Sequence, residues 1–483
     1  MTALRCAALW LSPALLLSVA EQLHAGAPSG LGPALLIVLV PCAALLGSRA
    51  DRGHEPTLFA VVLMVLAAIL LLTANLLVIG DVATSAGAPR WHGVVVAAGC
   101  AFALTIVPFA DRMWPWLAPG ALAHVLLVLG SVAIVSGVGP TDAWTRAASR
   151  PDVRFAETSP WVVSGGTFQS AGSLVFTEAQ TVRALSADVF RVVVSDAPGP
   201  VLHEWRPDPG DVITLRPGDR LAYEVGARLQ FSEGSRIPGA PRSGTTWADL
   251  APRRSTGRQL ADLLGLWVTL GLGGSVLLRP WVPAMRGGAA GFLSLALIAL
   301  WSMAGWAVYA AWLAPDLLLG AARAGALVQL PAFALDGPWG RRLTGVVIAG
   351  LIALFVATAS ALRSRIGALD RGGGELGRDV VLWAGMFGVA AVVSLWPSDP
   401  WTMLLLALGL LASALGAVAL TPHRAGWRLQ TVASAVASAL YVGVTLAAPA
   451  GAGTWLESLT TYPALVAAPV GWAVLRLAQP RPA

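Results

Sequence analysis

The chain has 483 residues, 56% hydrophobic and 12% charged, with mean hydropathy +0.70 and a formal net charge of +6. Soluble proteins average about 25% charged residues, so composition excludes an ordinary soluble enzyme and selects a membrane protein. Residues 141–257 hold 13 of the 26 acids and 13 of the 32 basic residues. The positive excess therefore lies in the apolar remainder, which argues against nucleic acid as a partner and suits arginine acting as a topology signal.

Every basic residue is arginine, so Schiff-base and P-loop lysines are excluded. Cys6, Cys42 and Cys100 lie in separate apolar runs with no CxxC or CxxCH. Structural disulfides, zinc sites and covalent haem are not expected.

A spanning helix needs about 20 mostly apolar residues. On that rule the N-terminal block, 1–140, carries five helices near 4–22, 31–48, 57–80, 92–110 and 117–138. The C-terminal block, 258–483, carries seven near 259–278, 288–313, 343–362, 379–396, 401–420, 428–448 and 460–478. The fold class expected is an all-α polytopic membrane protein of about 12 spans, five plus seven, with a small all-β extracytoplasmic domain inserted at 141–257.

Arginines support the count. Arg49, Arg52, Arg112, Arg279, Arg286, Arg363, Arg365, Arg371, Arg378, Arg424, Arg428, Arg476 and Arg481 fall on one side if both termini are cytoplasmic, as the positive-inside rule requires. That orientation places 141–257 in the periplasm or outside, and the chain in a bacterial-type plasma (inner) membrane. The segment 314–342 strains the rule, because Arg323, Arg341 and Arg342 then lie outside. It reads as an interfacial or re-entrant loop, not a thirteenth span. Ser18-Val19-Ala20 resembles a signal-peptidase site, but the first helix is expected to be retained. The many tryptophans at predicted helix ends read as an aromatic belt.

The polar insert reads as short strands: Val189–Val194, Val201–Trp205, Val212–Leu215, Arg220–Val225 and Ala227–Phe231, parted by turn residues. Pro209-Gly210-Asp211 recurs as Pro217-Gly218-Asp219, which suits a meander. Leu221, Tyr223 and Val225 are expected on a buried face.

Intramembrane ionisable groups are costly and usually functional; only His124 falls within a span, with Asn75 as a polar companion elsewhere. His124 is expected to bond a neighbouring carbonyl or hydroxyl. Polar groups gather instead at the outer face: Glu21, Asp81, Arg323, Arg341, Arg342 and Asp399 form the candidate cluster. His24 and His92 also sit there, and paired imidazoles are the one cofactor option, a b-type haem. In this they resemble the haem-handling proteins of cytochrome c maturation, although the WWD-type tryptophan-rich segment of that family is absent. No cofactor is predicted. His203-Glu204 is not HExxH, and Gly271–Gly274 reads as helix packing, not phosphate binding.

Three functions fit these features. The first is an inner-membrane subunit or scaffold of an envelope or respiratory complex, docking other membrane proteins through the β-domain. The second is a transporter or flippase for a lipid-linked or apolar cargo. The third is a membrane enzyme acting on a glycan or lipid at the outer face, which requires the outer charges to converge.

Overall fold

A computed structural model describes residues 2–26, 34–40, 57–86, 88–107, 110–148, 160–168, 172–176, 179–194, 201–216, 219–235, 256–278, 289–313, 327–335, 338–367, 376–396, 398–420, 426–446 and 459–477. It is mainly helical with a small antiparallel β region.

The helices are α1 (Thr2–Trp10), α2 (Pro13–Gly26), α3 (Leu58–Ser85), α4 (Arg90–Ile106), α5 (Leu117–Ser136) and α6 (Pro140–Ala148). After the β region come α7 (Thr256–Leu266), a π-helical stretch Trp267–Leu272, α8 (Gly273–Leu278), α9 (Ala289–Leu313), α10 (Pro338–Gly367), α11 (Leu376–Ser394), α12 (Pro400–Leu420), α13 (Trp427–Leu446) and α14 (Ala464–Leu477). Among the described residues six helices are long and apolar enough to cross a membrane, or seven if α1 and α2 are one bent span. Four more, including α4 and α14, are apolar but shorter. This fits a multi-pass protein in a lipid bilayer, though by that measure the described helices fall short of twelve.

α3 is the hub. Thr57 caps it, its hydroxyl accepting the Ala60 N–H at 3.2 Å, and the helix packs against α4, α11, α12 and α2. It is apolar on every face, as a helix buried inside a bundle should be, and Leu71, Leu72, Ala74, Leu76 and Leu77 lie in the core. α10 is the second long buried helix and packs against α5, α1 and α4. It starts earlier than the expected 343, because Pro338 supplies the fixed φ favoured in a first helical turn. Arg341 and Arg342 thus belong to a helix, not to a loop.

The described tryptophans include a set at helix ends, a buried set and Trp301, which is exposed in the middle of α9. Trp91, Trp116, Trp339, Trp396 and Trp427 are exposed at or beyond helix ends, as a belt requires. Trp10, Trp306 and Trp383 are buried, and each indole N–H finds an acceptor: Ile37 O at 3.0 Å, Leu327 O at 2.7 Å and Thr105 Oγ1 at 2.9 Å.

The β region has eight strands: β1 (Gly166–Thr167), β2 (Gly172–Val175), β3 (Gln180–Ala184), β4 (Phe190–Val194), β5 (Val201–Trp205), β6 (Val212–Leu215), β7 (Arg220–Tyr223) and β8 (Arg228–Phe231). They form two antiparallel four-stranded sheets, in orders β1-β8-β3-β6 and β2-β7-β4-β5. This is the strand order of a jelly roll, not the expected meander. Of the described strands only β4 and β5 pair as chain neighbours. The residues that alternate inward make one core, with Phe168, Phe176, Phe190, Leu221, Tyr223 and Phe231 at its centre. Phe168 stacks on Tyr223 at 3.8 Å between ring centroids. Val225 lies beyond β7 in a turn and is exposed, contrary to expectation.

The repeated Pro-Gly-Asp has a local cause. Asp211 accepts the backbone N–H of Asp208 at 3.0 Å, and Asp219 that of Arg216 at 2.7 Å, so each carboxylate closes its turn the same way. Asp219 is buried and Asp211 exposed. Asp219→Ala is therefore expected to cost about 1–2 kcal/mol, and Asp211→Ala less. Hydrogen exchange should be faster in β6 and β7 of the first variant alone.

Candidate functional site

The expected first span is not one helix. Ser12-Pro13 splits it into α1 and α2, inclined to each other by 51°. Proline has no N–H to give to the fourth residue before it and its ring clashes there, while serine is a preferred N-cap. Two distant side chains satisfy the backbone groups that the break releases. Thr358 Oγ1 donates to Ala8 O at 2.8 Å as well as to its own Leu354 O at 2.9 Å. Asn75 Oδ1 accepts the Ala14 N–H at 3.0 Å, while Asn75 Nδ2 donates to Leu71 O at 2.7 Å. Asn75 and Thr358 are both fully enclosed.

The break packs against the interior of α3. At 1.5 Å per residue, Asn75 is about 15 Å along α3 from Ser85, half the roughly 30 Å of a hydrocarbon core. In lipid an unsatisfied backbone group costs several kcal/mol, so interrupted helices persist only where protein re-satisfies them. Asn75 and Thr358 do so on the two sides of one break.

A second irregularity lies next to the helix that Trp10 touches. Trp267–Leu272 is π-helical, a conformation that recurs at functional sites, and it leads into Gly273-Gly274. A Cβ on Gly274 would stand 2.7 Å from the Trp10 ring and 2.6 Å from Val40, so the last side chain of α1 lies directly on this glycine. A Cβ on Gly273 would stand 2.1 Å from Leu408 O of α12. Close helix packing explains these glycines, as read from the sequence. Thr269, inside the π-helical stretch, and Ser413, on α12, are buried, and neither hydroxyl has a hydrogen-bond partner among the described residues. Beside the break, Leu16 and Leu17 of α2 join Ala121, Val125, Trp306 and Leu354 around a wholly apolar cavity of about 20 Å³. In the described membrane helices the fully enclosed polar set is Asn, Gln, Ser, Thr and Arg365, and Asp81, toward the end of α3, is a largely buried carboxylate.

The residues expected at the outer face divide. Asp81, near the end of α3, pairs with Arg90 at the start of α4, 3.2 Å apart, and both are largely buried. Gly80 leaves the room in which the Arg90 side chain lies. Asp399 is near enough to act on Asp81 electrostatically, but its carboxylate is engaged as the N-cap of α12, accepting from Trp401 N, Thr402 N and Thr402 Oγ1 at 3.3, 3.0 and 2.7 Å. Arg341 and Arg342 are exposed on α10, Arg342 lying over the Trp339 ring at 5.0 Å. Glu21 is half-buried on α2. His92 is exposed beside Trp91, with ring centroids 3.8 Å apart. The His24 side chain and Arg323 lie outside the described residues, and so does the pairing of His24 with His92.

His124 bonds as expected, its Nδ1 standing 2.7 Å from Gly120 O. The ring is nevertheless exposed, on the face of α5 that also carries Leu127.

The break, the π-helical stretch and the Arg90 partner of Asp81 were not singled out from the sequence. Ser12-Pro13 was the one available signal for the break. No protein-family model matches the chain, and no curated protein matches it in sequence.

Proposed function

We propose that the chain is a carrier that moves a lipid-linked or apolar cargo across a bacterial-type inner membrane. In this reading it has twelve spans, both termini are cytoplasmic, and the sandwich within 141–257 stands outside. The observation that supports it is the contact of Trp10, at the break in the first helix, with Gly274, just beyond a π-helical stretch. Carriers build their binding sites near the midplane from discontinuous helices. Hydroxyl, amide and aromatic groups around the junction, with the largely buried Asp81 already held by Arg90 near the end of α3, suit an apolar cargo better than coupling to an ion.

A second reading, a subunit that docks other membrane proteins, is favoured by His124. An imidazole on the outside of a spanning helix loses hydrogen-bonding capacity in lipid and regains it against a neighbouring helix. The enzyme reading draws least support, since Arg341 and Arg342 are exposed and Asp399 caps a helix.

The test uses the purified full chain in vesicles of phosphatidylethanolamine and phosphatidylglycerol, with fluorescent phospholipid or polyprenyl phosphate as cargo. Faster loss of signal to an external quencher than in protein-free vesicles is expected. Equal rates, together with stoichiometric membrane partners retained on purification from native membranes, would replace the carrier by the subunit.

A further inference from the structure

The outward face of the β1-β8-β3-β6 sheet carries a groove of about 250 Å³. Register puts its floor in two cross-strand rows. Arg183 stands between Gln230 of β8 and Val212 of β6, and Thr181 is opposite Thr214 of β6, with Ser232 Oγ donating to Thr181 O at 3.3 Å. One wall is the single turn Pro160–Val163, held by Gln230 Nε2, which donates to Val162 O at 2.5 Å and Val163 O at 3.2 Å. Glu233 also lines the groove, in a turn closed by Ser235 N donating to Ser232 O at 3.1 Å.

We propose that this groove binds a saccharide. Arg183 and Glu233 line the same groove, both exposed, yet among the described residues neither is in an ion pair. Their charges cancel, so a simple anion is opposed by Glu233 and a simple cation by Arg183. An apolar ligand would strip water from both charges without replacing it. A nucleobase wants an aromatic platform, but Phe231 turns its ring into the sandwich core. Sugar hydroxyls both donate and accept. They can take acceptor bonds from the planar donor fork of Arg183, give donor bonds to Glu233, and meet Thr181 and Ser232 between them. The volume lies a little below the roughly 300 Å³ at which drug-sized pockets begin, room for a small polar ring. Glycine at 234, with φ +72°, gives the Glu233 turn its left-handed step. The groove's chemistry is the same whether or not the membrane block moves a lipid.

The experiment uses the full chain in phospholipid nanodiscs, so that no sugar-headed detergent competes. Chito-oligosaccharide, malto-oligosaccharide and galacto-oligosaccharide are titrated, with inorganic phosphate and spermidine as charged controls. At least one saccharide is expected to bind, and Arg183→Ala and Glu233→Ala should each weaken it by about tenfold or more, as the loss of a charge-assisted hydrogen bond does. Arg206→Ala, on the β5 side of the other sheet, should leave binding unchanged. Binding of phosphate or spermidine alone, no saccharide binding, or wild-type affinity in both groove variants would overturn the proposal.

Discussion

Replacing Gly273 by alanine is expected to destabilise the membrane block by at least about 3 kcal/mol, at or beyond the top of the usual range for overpacking. The added carbon would stand 2.1 Å from Leu408 O, 2.7 Å from Leu408 C and 2.9 Å from Leu408 Cα. Those are backbone atoms of α12, so relief requires moving a helix that also packs on α3, α13 and α14. The neighbouring glycines make the controls. At Gly274 the clashing atoms belong to the side chains of Val40 and Trp10, which can shift in part, so Gly274→Ala should cost less. At Gly271 the nearest atoms are 4.0 Å away on Trp267. Gly271→Ala should be neutral or gain up to about 1 kcal/mol from helix propensity. Thermal unfolding in one detergent, read for all three variants, checks the order. Equal losses at the three positions would mean that close approach to α12 is not what Gly273 provides.

Asn75→Leu is expected to cost about 2–3 kcal/mol and Thr358→Val about 1–2 kcal/mol. The leucine keeps the size of the side chain but leaves the Ala14 N–H without an acceptor in a region that water does not reach, and it removes the bond to Leu71 O as well. The valine removes one donor to Ala8 O, and a carbonyl tolerates under-satisfaction better than an N–H does. Both side chains hold the same break, so the pair should be non-additive in a double-mutant cycle. If the carrier reading holds, translocation should fall in both variants at temperatures where the protein is still folded. Additive, small losses of stability would show that the bend between α1 and α2 is maintained by Pro13 and packing alone.

The apolar helices were legible from their long apolar runs, although fewer than the expected twelve are long and apolar enough among the described residues to cross a membrane, and the strands β4 to β8 because Val, Leu and aromatics alternate between Pro-Gly turns. β1 to β3 carry a weaker signal for a physical reason: Gly166-Thr167 is only two residues long, Gly172–Val175 opens on Gly-Ser, and Gln180–Ala184 has only Val182 and Ala184 as apolar residues. Their strand character comes from partners far along the chain. The break at Ser12-Pro13 hid inside an uninterrupted apolar run, where hydropathy is blind to backbone geometry. Asp81 was marked from its position, but its pairing with Arg90 depends on how the connection between α3 and α4 turns. Among the outer charges, sequence position alone does not separate Asp399, spent on capping, from Arg341 and Arg342, which face outward.

The strand order of the sandwich carries a consequence for how it is made. β4 pairs with β5, β3 with β6, β2 with β7 and β1 with β8, so each pair encloses the one before it. As the chain leaves the ribosome, only the innermost hairpin can close at once. Every earlier strand must wait, with an unpaired edge, for a mate synthesised later, and β1 waits until Phe231 has emerged. Such non-local pairing folds slowly. The sandwich therefore matures from the inside outward, and the pair through which the chain arrives and departs is the last to shut.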